Sequence, residues 1–394
     1  MSASVRPGLE VLATDSSALL AGRRFALLAN QATVSRDLTA GWSLLAGVGG
    51  VEVRLFAPEH GLWGTAQDME SVSESVEPST GLRVHSLYGS SPATFAPRAE
   101  LLDDLDAVVV DLPDIGTRYY TFAATMAHVM AACSRAGVEV VVCDRPNPIG
   151  GETLEGGPIA PGLASFVSEV PVPARHGMTL GELALWLREA RHPDLHLTVV
   201  ACQGWKRRMW WEETGLPWVA PSPNMPTPTT AAIYPGGCLL EATNLSEGRG
   251  TTRPFQLIGA PWLDGEALAA RLNALDLPGC RFRACRFRPE FQKWAGRTCG
   301  GVEWHVTDRR ALRSLEAAVL LLREARALDP EHFAWRTEAY EYVTDVPALD
   351  LLTGSAQARA VVEDGAEAEP MFESWRAWCE SFLRERERFL LYRD

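Results

Sequence analysis

The stretch Ala107–Tyr120, AVVVDLPDIGTRYY, contains the pattern that decides the fold. It opens on four small or β-branched apolar residues in a row, which is typical of a strand buried on both faces of a sheet. A helical periodicity begins at its last residue, and a second one over Thr179–Ala190 starts with the spacing of a capping box. Similar apolar runs predict four more strands, at Phe25–Ala29, Val51–Phe56, Val138–Cys143 and Leu197–Ala201. Strands alternating with helices predict an α/β fold with a doubly wound parallel sheet.

The length of 394 residues predicts two domains, because a single hydrophobic core usually stops growing at ~250 to 300 residues. The alternation stops at the proline-rich stretch Pro221–Gly237, where we expect neither a helix nor a central strand, since proline has no amide hydrogen to donate. We therefore expect a first domain of residues 1–230 and a smaller α+β domain of residues 231–394. In the smaller domain the patterns predict helices at Gly265–Leu275, Asp308–Leu328 and Pro370–Leu391, and strands at Arg281–Phe287 and Val302–Val306.

Composition and charge argue against several classes of function. The formal net charge of -13 disfavours a nucleic-acid interface, since phosphate would be repelled overall. No segment has the ~20 apolar residues of a membrane-spanning helix, and Met1–Ser17 lacks the apolar run of a signal peptide. We therefore expect a cytoplasmic protein that does not insert into membranes, with a leader removed before this numbering begins left open.

Cofactor and metal sites are not expected either. The eight cysteines form no C-x-x-C pair and the histidines do not cluster with them, which predicts buried reduced thiols and no metal site. No G-x-G-x-x-G motif follows the first strand, and neither a nucleophile elbow nor a phosphate loop is present. We expect no cofactor.

Polar side chains follow four of the predicted strands at the point where each strand ends. In open α/β sheets the ligand crevice lies outside the carboxyl ends of the strands, so we expect these four loops to converge on one pocket. Ordinary turn and helix-cap chemistry is the competing interpretation for each loop taken alone. The residues concerned are Asn30 and Gln31, Glu59 and His60, Asp111, Asp114, Arg118 and Tyr119, and Asp144, Arg145 and Asn147.

The stretch Leu239–Thr252, LLEATNLSEGRGTT, has the composition of a functional loop rather than of a core. It supplies two carboxylates six residues apart, Glu241 and Glu247, together with Arg249. The competing interpretation is a glycine-rich turn in which Glu247 pairs with Arg249. We expect this loop to cross from the second domain and close the pocket, so that Glu247 faces Glu59 with no protein between them.

Nine segments carry motifs in a fixed order: LANQ (Leu28–Gln31), FAPEHG (Phe56–Gly61), DLPDIGTRYY (Asp111–Tyr120), DRPNPIGG (Asp144–Gly151), LEG (Leu154–Gly156), RHGMT (Arg175–Thr179), LPWVAPSPNMP (Leu216–Pro226), Glu241–Thr252 and CGGVEWHVTD (Cys299–Asp308). Together they resemble the bacterial exo-β-N-acetylmuramidases of the NamZ type, which release N-acetylmuramic acid from the non-reducing ends of peptidoglycan fragments. The resemblance implies a Rossmann-like catalytic domain, a smaller domain that closes the active-site cleft, and a muropeptide or disaccharide substrate.

Glycoside hydrolysis ordinarily needs one carboxylic acid to protonate the leaving oxygen and a second carboxylate as base, nucleophile or stabiliser. We expect Glu59 to be the acid, because it follows a strand beside apolar residues, with His60 adjacent to tune or relay the proton. Four candidates for the second carboxylate are Glu247, ranked first, Glu241, Asp114 and Glu155. A substrate-assisted route through the N-acetyl group of the sugar stays open, as do retention and inversion.

The lactyl carboxylate of muramic acid calls for a bidentate cation. We expect it from Arg118, Arg145 or Arg249, with internal ion pairs as the competing interpretation. The other residues expected to bind substrate are Asn30, Gln31, Tyr119, Asn147, His176, Asn224, Glu241 and Asn244. Four tryptophans are either core residues or stacking platforms for sugar rings, namely Trp205, Trp210, Trp211 and Trp218. Two other functions stay open, a non-catalytic protein that binds amino sugars or muropeptides and a Rossmann-type hydrolase of another class.

Overall fold

The computed structural model describes residues 5–393 and contains two β-sheets. The strands of the larger sheet are β1 (Arg24–Leu28), β2 (Val51–Ala57), β3 (Ser75–Val76), β4 (Arg83–Ser86), β5 (Ala107–Val110), β6 (Glu139–Cys143) and β7 (Leu197–Val200). They lie in the order β3-β4-β2-β1-β5-β6-β7, and every neighbouring pair is parallel except β3 with β4. The α/β class and the five predicted strands are confirmed. The sheet is nevertheless mixed, because the short edge strand β3 is antiparallel.

Helices cover both faces of this sheet, because alternate residues of each strand point to opposite sides. In β1, Phe25 and Leu27 belong to one hydrophobic core, whereas Ala26 and Leu28 belong to the other. The first core is closed by two short helices, α1 (Gly8–Thr14) and α2 (Gly41–Leu45). The second is closed by two longer helices, α3 (Phe122–Ala136) and α4 (Leu180–Arg191). The sheet is therefore doubly wound, as predicted.

The start of α4 confirms the predicted capping box. The Thr179 hydroxyl accepts a hydrogen bond from the Glu182 amide at 3.3 Å, and the Glu182 carboxylate accepts one from the Thr179 amide at 3.1 Å. These bonds satisfy amide groups that the first turn of a helix leaves unpaired. The same hydroxyl donates to Asp144 at 2.6 Å, which ties the beginning of α4 to the carboxyl end of β6.

Two helices follow β7, namely α5 (Trp211–Thr214) and α6 (Pro228–Gly237). The second of them shows that the expectation of no helix in the proline-rich stretch is wrong. Pro228 occupies the start of α6, where an amide hydrogen has no partner within the helix, and Thr227 caps it by accepting from the Thr230 amide at 3.2 Å. Pro235 lies in the last turn, just before the chain passes into a 3-10 helix at Cys238–Ala242. The positions of the prolines, rather than their number, decide the local structure.

The second half of the chain forms a three-stranded antiparallel sheet from β8 (Leu257–Ala260), β9 (Cys280–Phe287) and β10 (Cys299–Val306), with β10 in the middle. The helices that follow α6 are α7 (Gly265–Ala274), α8 (Ser314–Leu328), α9 (Ala348–Thr353), α10 (Gln357–Asp364) and α11 (Glu369–Arg386). Helix α7 packs on this sheet, and α8 packs on α7 and α6. A smaller α+β region is thus present, as predicted.

The end of the chain returns to the larger sheet. Arg386, at the end of α11, donates to the Gly177 carbonyl at 2.6 Å. The Tyr392 hydroxyl donates to the Asp144 carboxylate at 2.6 Å and accepts from the Cys202 amide at 3.0 Å. Burial raises the pKa of Asp144 to about 6, against the lowering effect of these hydrogen bonds. Residues near the C-terminus therefore pack on the domain formed by the first half of the chain.

None of the helices in residues 5–393 combines the length and the apolar character needed to cross a membrane. All eight cysteines are free thiols and seven of them are buried. Within the same residues, no three histidine, cysteine, aspartate or glutamate side chains gather as a metal site would require.

Candidate active site

A small cavity lies where residues that follow β2 and β5 meet the second half of the chain. The first half contributes Glu59, His60, Asp68, Tyr119, Tyr120, Thr121, Ser222, Asn224 and Met225. The second half contributes Tyr234, Glu241, Arg249, Phe255, Tyr340 and Glu341. Acidic side chains outnumber arginine four to one in this lining, so the chemistry of the cavity depends on how those carboxyls share protons and partners.

Glu59 lies two residues after β2 and is 4% exposed. Its Oε2 accepts a hydrogen bond from the Thr121 hydroxyl at 2.7 Å, and its Oε1 accepts one from the Met69 amide at 3.1 Å. The next residue, His60, has a left-handed backbone with φ of 70°, and its Nδ1 lies 2.9 Å from the Ala66 carbonyl oxygen. Such backbone strain costs about 1 to 3 kcal/mol in a non-glycine residue and is concentrated at functional sites. The loop therefore holds Glu59 at the cavity wall through several independent constraints.

Glu341 is a second buried carboxyl in the cavity, and the sequence analysis missed it. It lies between α8 and α9, and its Oε2 accepts a hydrogen bond from the buried Tyr88 hydroxyl at 2.9 Å. Burial and the negative charge of Glu59 raise the pKa of Glu341 well above its ordinary value, although the Tyr88 hydroxyl opposes that rise. A carboxyl with a raised pKa, in one cavity with a second carboxyl, is the arrangement that general acid catalysis uses.

Arg249 lies between the other two carboxylates of the cavity. Its guanidinium donates to Asp68 at 3.0 Å and to Glu241 at 2.9 Å, and Glu241 also accepts from the Tyr340 hydroxyl at 2.9 Å. Burial raises the pKa of Glu241 even though Arg249 acts to lower it. The arginine that lines the cavity is thus neutralised by protein carboxylates. A bidentate contact with a substrate carboxylate would require it to release at least one of them.

Glu247 does not line this cavity, which corrects its expected position opposite Glu59. The side chain is 2% exposed, and its Oε2 accepts a hydrogen bond from the Lys293 ammonium at 2.9 Å. Its Oε1 lies 3.6 Å from Arg249. Lys293 also donates to two backbone carbonyls in the loop Leu239–Thr252. The ion pair therefore fastens this loop internally, which is the structural interpretation left open for it.

The four strand-end loops divide between two pockets, whereas we expected one. Loops after β2 and β5 reach the cavity, but those after β1 and β6 line a separate pocket, together with Asp114. Arg145 is held there by Asp111 in a buried ion pair, with Nη2 and Oδ2 2.7 Å apart. The carboxylate of Asp114 lies 3.4 Å from Nε2 of His176, which is fully buried. The charged side chains at these strand ends therefore pair within the protein, Arg145 with Asp111.

The remaining polar residues predicted to bind substrate are also engaged by the protein. Arg118 is 1% exposed and donates only to backbone carbonyls, at 2.7 to 3.2 Å, while burial lowers its pKa to about 10. Glu155 forms an ion pair with the buried Arg175 at 3.1 Å. Backbone carbonyls likewise accept hydrogen bonds from the amide side chains of Asn30, Gln31, Asn147 and Asn244. None of these side chains is among those that line the cavity.

Six predicted site residues do line the cavity, namely Glu59, His60, Tyr119, Asn224, Glu241 and Arg249. Tyr120 and Thr121 were missed although Tyr120 is the last residue of the motif DLPDIGTRYY and Thr121 directly follows it. Tyr340 and Glu341 follow no predicted strand, and no local signal marks them. The four tryptophans lie elsewhere: Trp205 and Trp210 are buried core residues, whereas Trp211 and Trp218 line the separate pocket.

Comparison with known proteins identifies relatives over the whole chain. The family profile described as "Exo-beta-N-acetylmuramidase NamZ, N-terminal" matches residues 25–229, and the C-terminal profile of the same family matches residues 232–392. A curated relative, the peptidoglycan beta-N-acetylmuramidase NamZ of Bacillus subtilis (strain 168), is 39% identical over 389 residues, covering 98% of this chain and 91% of that protein.

Two solved structures resemble the fold. Both are crystal structures of DUF1343 family proteins from Bacteroides fragilis NCTC 9343. One is 34% identical with a TM-score of 0.88 and covers 99% of each chain. The other is 26% identical with a TM-score of 0.77 and covers 100% of each chain. The two-part architecture described above is therefore shared along its full length.

Proposed function

The chain belongs to the family of the exo-β-N-acetylmuramidase NamZ, and we propose that it is an exo-acting glycoside hydrolase that releases N-acetylmuramic acid from the non-reducing ends of peptidoglycan fragments. The observation that carries the proposal is the pair of buried carboxyls, Glu59 and Glu341, in one cavity. Cleavage of a glycosidic bond ordinarily needs one protonated and one charged carboxyl. A protein that only binds sugars has no such need.

We assign the proton donor to Glu341 and the charged carboxylate to Glu59. Glu59 accepts two hydrogen bonds, from the Thr121 hydroxyl and the Met69 amide, and donors of this kind stabilise a negative charge. Glu341 is buried in the same cavity, and its burial together with the negative charge of Glu59 raises its pKa well above the ordinary value, which favours its protonated form. The proton donor expected from the sequence was Glu59. This assignment instead gives Glu59 the role of the second carboxylate.

In the proposed reaction, Glu341 delivers its proton to the glycosidic oxygen as the bond to the anomeric carbon breaks. Glu59 supports the positive charge that develops on the sugar ring, either directly or by activating a water molecule. Asp68 and Glu241, held apart by Arg249, supply further acceptors for sugar hydroxyls in the same cavity. Arg249 thus acts mainly by positioning these carboxylates.

The test is the variant Glu59→Gln. The amide oxygen still accepts from the Met69 amide, and the Thr121 hydroxyl can rotate to accept from the new NH₂ group, so the fold should persist. We expect the loss of turnover to reach at least the ~10²- to 10⁴-fold that a positioned acid or base contributes. Turnover is measured with a chromogenic β-N-acetylmuraminide beside the matching glucosaminide, and thermal unfolding reports the fold.

Glu247→Gln is the matched control, since it removes an equally buried carboxylate of the same region outside the cavity. We expect it to lower stability through the loss of its pair with Lys293, but to keep the rate of the folded enzyme within about tenfold. If wild-type protein hydrolyses neither substrate, the proposed function fails. If Glu59→Gln keeps more than a tenth of the activity, its place in the catalytic pair fails.

A further inference from the structure

An open groove adjoins the catalytic cavity, and the roles assigned so far leave it unused. Its walls include two half-buried tryptophans, Trp294 and Trp335, and the half-buried Arg336. Asp68 and Met69 complete the side that faces the cavity. Neither tryptophan was singled out in the sequence analysis.

The groove and the cavity are neighbours, as one shared wall residue and two contacts between their walls show. Asp68 lines both of them. Met69 lines the groove, while its amide donates to Glu59 at 3.1 Å. The guanidinium of Arg336 lies over the ring of Tyr340, a cavity residue, at 5.5 Å. A chain of linked sugars that places one ring in the cavity therefore has an adjoining space for the next ring, next to the carboxyl that acts at the bond between them.

Trp294 lies in a segment that contacts both the loop Leu239–Thr252 and Asp68. Its indole nitrogen donates to the Asn244 carbonyl at 2.6 Å, and the neighbouring Gln292 donates to Asp68. Both Gln292 and Trp294 have left-handed backbones, with φ of 61° and 62°. Strain of this kind in non-glycine residues persists only where the surroundings hold it, and it is concentrated at ligand sites.

The indole of Trp335, which also lines the groove, is likewise anchored by a hydrogen bond from its ring nitrogen. Its nitrogen donates to the Glu363 carboxylate at 2.6 Å, and its ring packs edge-on against Phe333 at 5.3 Å. An anchored indole presents a large, flat apolar surface at little cost in side-chain entropy. The apolar faces of a pyranose ring are the part of a sugar that such a surface can accept.

We propose that this groove is the binding subsite for the leaving group, and that it takes the N-acetylated hexosamine ring on the reducing side of the cleaved bond. The proposal rests on the proposed function, because a leaving-group subsite has meaning only for a glycosidase. Trp294 and Trp335 are its stacking residues.

The experiment compares two substrates with different leaving groups. One is the disaccharide in which N-acetylmuramic acid precedes N-acetylglucosamine, and the other is N-acetylmuramyl β-fluoride, whose leaving group is a single atom. For Trp294→Leu and Trp335→Leu we expect kcat/KM on the disaccharide to fall about tenfold, the size of a good ring-stacking contact. On the fluoride we expect a change of less than about twofold, since the groove is then empty.

Trp378→Leu is the control, because Trp378 is a half-buried tryptophan on α11 that lines neither the groove nor the cavity. It should change neither value. Equal losses on both substrates for the groove variants would show that the tryptophans act through the fold, and no loss on the disaccharide would overturn the subsite. Failure of wild-type protein on both substrates would count against the proposed function instead.

A binding measurement tests the groove without turnover. In saturation-transfer NMR on wild-type protein, free N-acetylglucosamine should receive saturation at its ring protons, and this signal should weaken in Trp294→Leu and Trp335→Leu but not in Trp378→Leu. An equal signal in all four proteins would overturn the proposal whatever the activity of the enzyme.

Discussion

The hydrogen bond from Tyr88 to Glu341 offers a direct test of which carboxyl carries the catalytic proton. The Tyr88 hydroxyl donates to Glu341 Oε2 at 2.9 Å in a fully buried setting, and this bond favours the charged form of the carboxyl. In Tyr88→Phe the ring keeps its packing against Phe95 and Phe166, at 5.7 and 6.0 Å, while the donor is lost. The pKa of Glu341 should therefore rise further above its ordinary value.

The size of this pKa change follows from the free energy of the hydrogen bond. A hydrogen bond to a charged group contributes about 1.5 to 3 kcal/mol, and one pKa unit corresponds to about 1.4 kcal/mol, so the pKa of Glu341 should rise by about 1 to 2. If Glu341 is the proton donor, activity is lost when it deprotonates at high pH. The alkaline limb of the profile of kcat/KM against pH should then move upward by the same amount.

The assay is hydrolysis of the chromogenic muraminide from pH 5 to 10, with Tyr342→Phe as the control. Tyr342 belongs to the same aromatic cluster, but its hydroxyl donates to the Gly89 carbonyl at 2.7 Å and not to Glu341. The control should leave both limbs in place. An alkaline limb that stays fixed in Tyr88→Phe, or an acidic limb that moves in its place, would refute the assignment of the proton to Glu341.

Two further predictions concern buried charge. Arg249→Met leaves Glu241 and Asp68 without their cation, so we expect the free energy of unfolding to fall by about 3 to 5 kcal/mol. A chemical denaturation curve that matched the wild-type curve would contradict this prediction. Burial and the nearby Glu77 raise the pKa of Glu52 from 4.5 to about 8, so its stabilising contribution is fully present below pH 4.5 and is lost as the pH rises towards 8. Glu52→Gln should therefore stabilise the protein at pH 7 by about 1 to 3 kcal/mol, with less difference at pH 4.5, and a melting temperature that fell at pH 7 would exclude this account.

Local patterns were sufficient for five strands of the larger sheet and for part of the site. An apolar run such as Ala107–Val110 is a strand wherever it is buried on both faces, and the capping box at Thr179 needs only a residue three positions away. Glu59 could be chosen because a residue directly after a parallel strand lies at the ligand-binding edge of the sheet. Even α6 follows local rules once the position of each proline is considered.

The partners of the charged residues were decided by the tertiary structure alone. Glu241 and Glu247 are the same residue type in the same loop, yet Glu241 lines the cavity while Glu247 pairs with Lys293. Glu341 meets Tyr88 and Glu59 only because the segment after α8 folds back over the first sheet. Whether a carboxyl keeps its proton depends on burial and on charges a few ångströms away, and those distances join residues that are remote in the chain. The sequence therefore determined which residue types were available and on which elements they lie, whereas folding decided which of them became a site.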